Sequence, residues 1–131
     1  MRSLKPFLLL APVLALASLV SAATPAPAAR WSTTYENLNA PANFTALMVV
    51  VDFPPGSVYP LHSHGGPVIA LVTEGEITLS QNGTSKVYKA GQGFNEPFGQ
   101  IHEASNQGKV PAVVVVTYLL AKGAQPDILV K

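Results

Sequence analysis

The chain has 131 residues, 48% of them hydrophobic and only 11% charged, with eight basic residues, seven acidic ones, three histidines and no cysteine. That length suits one small domain, and the lack of cysteine excludes a disulfide framework. No basic stripe or interleaved aromatic patch is present, which argues against a nucleic-acid binder.

Residues 1–22 read as a signal peptide. Arg2 and Lys5 give a positive start, Phe7 to Val20 is an apolar run, and Val20-Ser21-Ala22 is a small-residue cleavage pattern. The run is shorter than the roughly 20 residues of a membrane span and carries Pro12, so export is expected rather than anchoring. Without Arg2 and Lys5, six basic residues face seven acidic ones, a mature net charge of about −1. The exported chain is expected to be secreted or periplasmic, with no membrane association after cleavage. Its stability must come from core burial, a bound metal or a dimer.

Residues 23–42 form a linker and arm. Thr24 to Arg30 is too rich in proline and alanine to pack, and Trp31 and Tyr35 are the large anchors of the segment that follows. Trp31 is expected to dock on the outer surface or a second subunit, or else to cap a pocket mouth. Residues 43–122 are expected to be a β-domain and 123–131 a loose tail.

Phe44 to Phe53 is β-branched and apolar and reads as a strand, ended by Pro54-Pro55-Gly56. Val58 to His64 is the next strand, with Val58, Pro60, His62 and His64 sharing one face by parity. Gly65-Gly66-Pro67 is a tight corner where a ligand or metal could approach the backbone. Val68 to Thr73 shows no polar alternation and reads as a buried strand, with Val68, Ala70 and Val72 expected to line a cavity suited to a small, partly apolar ligand.

Asn82-Gly83 between Ile77–Gln81 and Thr84–Tyr88 is a strong hairpin signal, because a type I′ turn needs positive φ at both central positions. Asn43-Phe44-Thr45 and Asn82-Gly83-Thr84 are also glycosylation sequons. Lys89 to Pro97 brings the chain back to Pro97-Phe98-Gly99, a turn that delivers His102. Phe98 walls the pocket or is an exposed turn residue. Asn106 is expected to bond to its own turn. Ala112 to Leu120 is a long closing strand in which Tyr118 belongs to the core, an interface or the cavity. Short strands punctuated by glycine and proline, without a convincing helix, predict an all-β sandwich or barrel. The apolar strands Val68–Val72 and Val113–Val116 suggest a homodimer that covers them.

All three histidines fall in two short stretches. His62 and His64, two apart on a strand, can present both rings to one ion, and His102 follows a turn that returns the chain. Imidazole is the commonest protein metal ligand, and three of them leave open coordination positions.

The first stretch runs Gly56, five residues, His62-Ser63-His64, then Gly75. The second runs Gly91, five residues, Pro97-Phe98-Gly99, two residues, His102, three residues, Asn106. Together they resemble the two signature motifs of the cupin superfamily over about Asn43 to Lys122. The resemblance implies an antiparallel β-barrel of jelly-roll type with a metal at its centre, held by His62, His64 and His102. It implies no single activity, since cupins include dioxygenases, isomerases, lyases, storage proteins and sugar-binding regulators.

One departure matters. The glutamate expected after three or four intervening residues beyond the second histidine is absent, those slots being Val68 and Ile69. Glu96 either supplies the missing carboxylate, acts as a base beside the metal, or is a solvated rim residue. The functional expectation is a metal-dependent, dioxygenase-like enzyme acting on a small organic molecule. A redox-inert isomerase or lyase and a non-catalytic binding barrel are the alternatives. The ion is divalent: iron, manganese, zinc, nickel or copper.

Overall fold

The computed structural model describes residues 28–131; the expected signal peptide and the start of the expected Pro/Ala linker lie outside the described residues. Nine strands follow in order: β1 (Thr45–Phe53), β2 (Val58–His64), β3 (Val68–Glu74), β4 (Glu76–Gln81), β5 (Thr84–Lys89), β6 (Gly93–Glu96), β7 (His102–Ser105), β8 (Ala112–Leu120) and β9 (Asp127–Leu129). They form a four-stranded sheet ordered β1-β8-β3-β6 and a five-stranded sheet ordered β5-β4-β7-β2-β9, with antiparallel pairings throughout. The expected all-β jelly-roll barrel is what the chain forms.

Alternation along the strands sets the core. On β1, Leu47, Val49, Val51 and Phe53 turn inward, while Met48 and Val50 face outward at 67% and 64% exposure. The register of β1, β8, β3 and β6 stacks the inward residues in rows across the first sheet. Leu47, Tyr118, Val68 and Glu96 make one row; Val49, Val116, Ala70 and Phe94 make the next. Val51, Val114 and Val72 form the third, and Phe53 with Ala112 closes the series.

The Asn82-Gly83 turn is as expected, with φ of 50° and 74° and Gln81 paired to Thr84. Both sequon asparagines are exposed. Trp31 and Tyr35 lie against Gly93 on the outer face of the first sheet, where a Cβ would collide with both. The arm therefore docks outside rather than over the cavity.

Three expectations need correction. β2 does not keep a two-residue parity: Tyr59 pairs with Ala104 and His62 with His102, so a bulge takes up one extra residue between them. Tyr59 shares the inner face with the histidines, whereas Val58 and Pro60 are exposed. A proline fits at such a bulge because it has no N–H to leave unpaired in the ladder.

The segment after Ala121 is not a loose tail. Its strand β9 pairs with β2 at His62↔Leu129, Ser63↔Ile128 and His64↔Asp127. The corner Gly65-Gly66 is approached by the chain itself, since a Cβ at Gly65 would meet the Gln125 carbonyl and one at Gly66 the Leu119 carbonyl. Gly65 also donates its N–H to Gln125 at 3.1 Å. These glycines let the C-terminal segment lie against the end of β2.

Asn106 does more than hold its own turn. Its Nδ2 donates to Val110 O and, across the molecule, to Phe53 O, both at 2.8 Å, and its Oδ1 accepts from Gly108 N. The side chain is 1% exposed and clamps the end of β1 to the loop before β8. Replacing Asn106 by Ala removes three hydrogen bonds worth about 1 kcal/mol each and strands buried carbonyls. We expect Asn106→Ala to lower unfolding stability by about 3 kcal/mol in urea melts with an unchanged m-value. An unshifted midpoint would show that the backbone bonds Asn106 N to Ser57 O and Gly56 N to Asn106 O hold this corner without the side chain.

Candidate metal centre

His62 and His64 project inward from β2, and His102 faces them from β7 as the direct partner of His62. All three are buried, at 4%, 3% and 1% exposure, and their candidate ligand atoms lie within 4.8 Å of one another. The rings sit edge to face or tilted, with centroids 4.3 to 4.9 Å apart.

Each imidazole is oriented through Nδ1 by a backbone carbonyl. His62 Nδ1 donates to Pro60 O at 2.7 Å, His102 Nδ1 to Gln100 O at 3.0 Å, and His64 Nδ1 to Pro126 O at 3.0 Å. A carbonyl only accepts, so the proton is held on Nδ1 and Nε2 is directed into the centre. This is the arrangement by which metal-binding histidines fix their tautomer.

Glu96 enters from β6, 6% exposed. Its Oε2 lies 2.8 Å from His64 Nε2 and its Oε1 lies 3.0 Å from His102 Nε2. On the sheet Glu96 pairs with Val68, one of the two positions where the first motif lacks its glutamate. Directly opposed residues share a face. A carboxylate therefore reaches the histidines from the strand beside the one whose motif position lacks it.

The C-terminal strand adds a residue that sequence reasoning missed. Asp127 Oδ1 lies 3.0 Å from His64 Nδ1 and accepts from the Tyr118 hydroxyl at 3.2 Å, while Oδ2 accepts from the Tyr59 hydroxyl at 3.1 Å. The apolar run Ile128-Leu129-Val130 after Pro126 was the available signal: a breaker followed by β-formers reads as a short strand. Tyr118 takes the cavity role among its alternatives, and Phe98 is an exposed turn residue at 62%.

The charges support one another. Burial pushes Glu96 up, but His102 and His64 overcome it and hold the carboxyl at about 2. Burial pulls His64 down, yet Asp127 and Glu96 raise it to about 9. Burial would raise Asp127, and His64 with the two tyrosine hydroxyls brings it below its ordinary value. His62 is lowered, chiefly by burial, with the Pro60 carbonyl opposing and the neighbouring imidazoles adding to the shift. Burial, then Asp127, drives Tyr118 well above the usual tyrosine value.

These groups fit a divalent ion. Among the described residues His102 Nε2 is buried without a hydrogen bond of acceptable geometry, a cost a protein seldom leaves uncompensated. Adjacent ligands of one octahedral ion with bonds of about 2.1 Å stand about 3.0 Å apart, which matches the Glu96 oxygen to imidazole nitrogen separations. Once an ion displaces the extra proton from His64, three imidazoles and one carboxylate suit iron, manganese, zinc, nickel or copper.

Beside the centre lies a cavity of about 260 Å³. Its walls are the inward residues of β1 and β8 with Ile77, Phe94 and Ala104. Val68, Ala70 and Val72, expected to line it, are buried in the packed core behind it.

The model of the cupin domain matches residues 49–118, which span both histidine stretches and more than half of the chain. The chain belongs to the cupin family. Among curated proteins this cupin is 36% identical over 77 residues to germin-like protein 3-5 of Oryza sativa subsp. japonica. It is 40% identical over 74 residues to germin-like protein subfamily T member 2 of Arabidopsis thaliana. Each match covers 52% of this chain and 34% of the relative, so the chain spans about a third of the length of these plant proteins.

Among solved structures, a Klebsiella pneumoniae protein with a double-stranded β-helix domain superposes with a TM-score of 0.53 at 30% identity, covering 62% of this chain and 73% of that one. A predicted oxalate decarboxylase of Thermotoga maritima gives 0.53 at 29%, covering 57% and 66%.

Two outcomes are expected. His64 titrates above its ordinary 6.5, so its stabilisation is complete below pH 6.5 and is lost as pH rises through 9. Glu96 titrates below its ordinary 4.5, so its stabilisation is complete above pH 4.5 and is lost as pH falls through 2. Melting temperatures of chelator-treated protein should show the pair's full contribution between pH 4.5 and 6.5, and Glu96→Gln should flatten the alkaline fall. Asp127→Ala should weaken metal affinity roughly tenfold or more in a chelator-competition titration, by freeing the His64 ring. Unchanged affinity would mean that the Pro126 carbonyl alone orients it.

Proposed function

We propose that this cupin is a metal-dependent enzyme of dioxygenase type acting on a small organic molecule. His62, His64, His102 and Glu96 hold the ion, with Glu96 as its anionic ligand. A bound iron, or another redox-active divalent ion, would supply the electron transfers that make dioxygen reactive toward organic molecules. The protein's own groups do the rest. The three Nε2 atoms bind, Glu96 offsets the positive charge, and Asp127 with Tyr59 and Tyr118 fixes the His64 ring. The apolar rows keep water from the reacting end.

The observation that carries this reading is the state of the acid–base groups. Both carboxylates at the cavity are engaged: Glu96 lies against His64 and His102, and Asp127 accepts from two tyrosines and faces His64. An isomerase or lyase that uses a carboxylate base needs that group free to move a proton, and both Glu96 and Asp127 are taken up in the histidine network.

Export to the periplasm or beyond belongs to the same reading, supported by the sequence of residues 1–22. So does a homodimer. On the outer face of the first sheet, Met48, Thr117 and Ile69 form one row and Val50, Val115 and Leu71 the next, an apolar surface that a second copy would cover.

The test measures metal content by mass spectrometry and oxygen uptake with an electrode. We expect near-stoichiometric metal that is lost in the His62→Ala/His102→Ala variant and reduced in Glu96→Gln. Oxygen uptake should track substrate loss and vanish when iron is exchanged for zinc. Turnover that survives zinc, with Glu96→Gln inactive but fully loaded, would replace this reading by a redox-inert isomerase or lyase. Bound metal without any turnover would leave a binding barrel.

A further inference from the structure

Resting on the metal reading above, the cavity narrows the substrate class. We infer that it takes an uncharged molecule of one ring, carrying a single oxygen-bearing head that faces the histidines while the ring lies between the sheets.

The register places every polar group of the cavity at one end. The row holding Tyr118 and Glu96 lies at the level of the histidines, and the following rows present only valine and phenylalanine to the cavity from the first sheet. Opposite them stand Ile77 and Ala104. A polar substituent on the far side of a ligand would lose its water there and gain nothing in return. At the polar end the two tyrosine hydroxyls are already donated to Asp127, so a ligand head finds the metal and little else.

Charge selects further. Among the described residues neither Lys nor Arg lines the cavity, while the carboxyl groups of Glu96 and Asp127 do. A small dicarboxylate would have one cationic partner, the metal, and two anionic neighbours. Its second carboxylate would face hydrocarbon. A neutral head such as a phenol or ketone meets neither penalty.

Size sets the ring count. An apolar cavity of about 150 Å³ is known to hold one benzene molecule and to stay dry without it. About 260 Å³ accommodates a single substituted ring and its head. The way in lies along β1, the edge strand of its sheet, where Leu47, Val49 and Val51 face the cavity yet are only half-buried.

The test uses ligand-observed fluorine NMR with fluorobenzene and 4-fluorophenol, on zinc-loaded and on chelator-treated full chain, with oxalate as competitor. Fluorobenzene probes the ring site alone and should bind both forms. 4-Fluorophenol should bind the zinc form at least tenfold more tightly than the stripped form, and oxalate should not displace fluorobenzene. Val116→Phe, which fills the second row, should weaken fluorobenzene at least tenfold with zinc content unchanged. If that variant does not fold, the comparison of probes on the natural chain decides.

Fluorobenzene that binds neither form, or that oxalate displaces, would overturn the assignment. Equal 4-fluorophenol affinity for both forms would overturn the orientation of the head. Failure to take up zinc would instead defeat the metal reading, and fluorobenzene binding to the stripped chain would still report on the ring site.

Discussion

Three imidazoles can share a buried spot only if each has its Nδ1 proton committed elsewhere, and the molecule meets this with three backbone carbonyls. Pro60, Gln100 and Pro126 accept those protons, and each comes from a different kind of segment. Pro60 lies in the β2 bulge, Gln100 follows the Pro97-Phe98-Gly99 turn, and Pro126 precedes β9. These irregular elements are the fixtures that aim the rings. A regular ladder spends its carbonyls on neighbouring strands and would have none to offer at these points.

The carboxylate obeys a related logic. Antiparallel pairing places residues of adjacent strands side by side, so one chemical group can reach the same point from either strand. Val68 and Glu96 are such a pair. A first motif without its acidic residue therefore still meets a carboxylate in three dimensions, held between His64 and His102. Its negative charge and the raised His64 stabilise each other, while Asp127 and two tyrosines close the network on the other side of that ring.

Much of this was legible in the chain. The β2, β3 and β8 segments, the Asn82-Gly83 turn and the convergence of His62, His64 and His102 all follow from period-two patterning and turn chemistry, which are local. What stayed hidden depends on contacts between distant segments. The bulge between Tyr59 and His62 shows only as a mismatch with β7, so parity counted along β2 alone put Val58 and Pro60 on the wrong face. The strand β9 is three residues long and forms because Gly65 and Gly66 leave room for it, a fact written sixty residues upstream. Asp127 was overlooked with it. The run after Pro126 signals a short strand, but only the pairing with β2 shows that its Asp127 meets His64.

The arm's docking has a consequence for spectroscopy. Trp31 is the one tryptophan of the chain, and it rests on Gly93 at the outer face of the first sheet. Phe94, the next residue, points the opposite way into the cavity. The protein's dominant fluorophore is thus separated from the three histidines by the thickness of a sheet and is 44% exposed. Its emission reports whether the arm is seated, and a ligand entering between the sheets leaves that signal to the tyrosines.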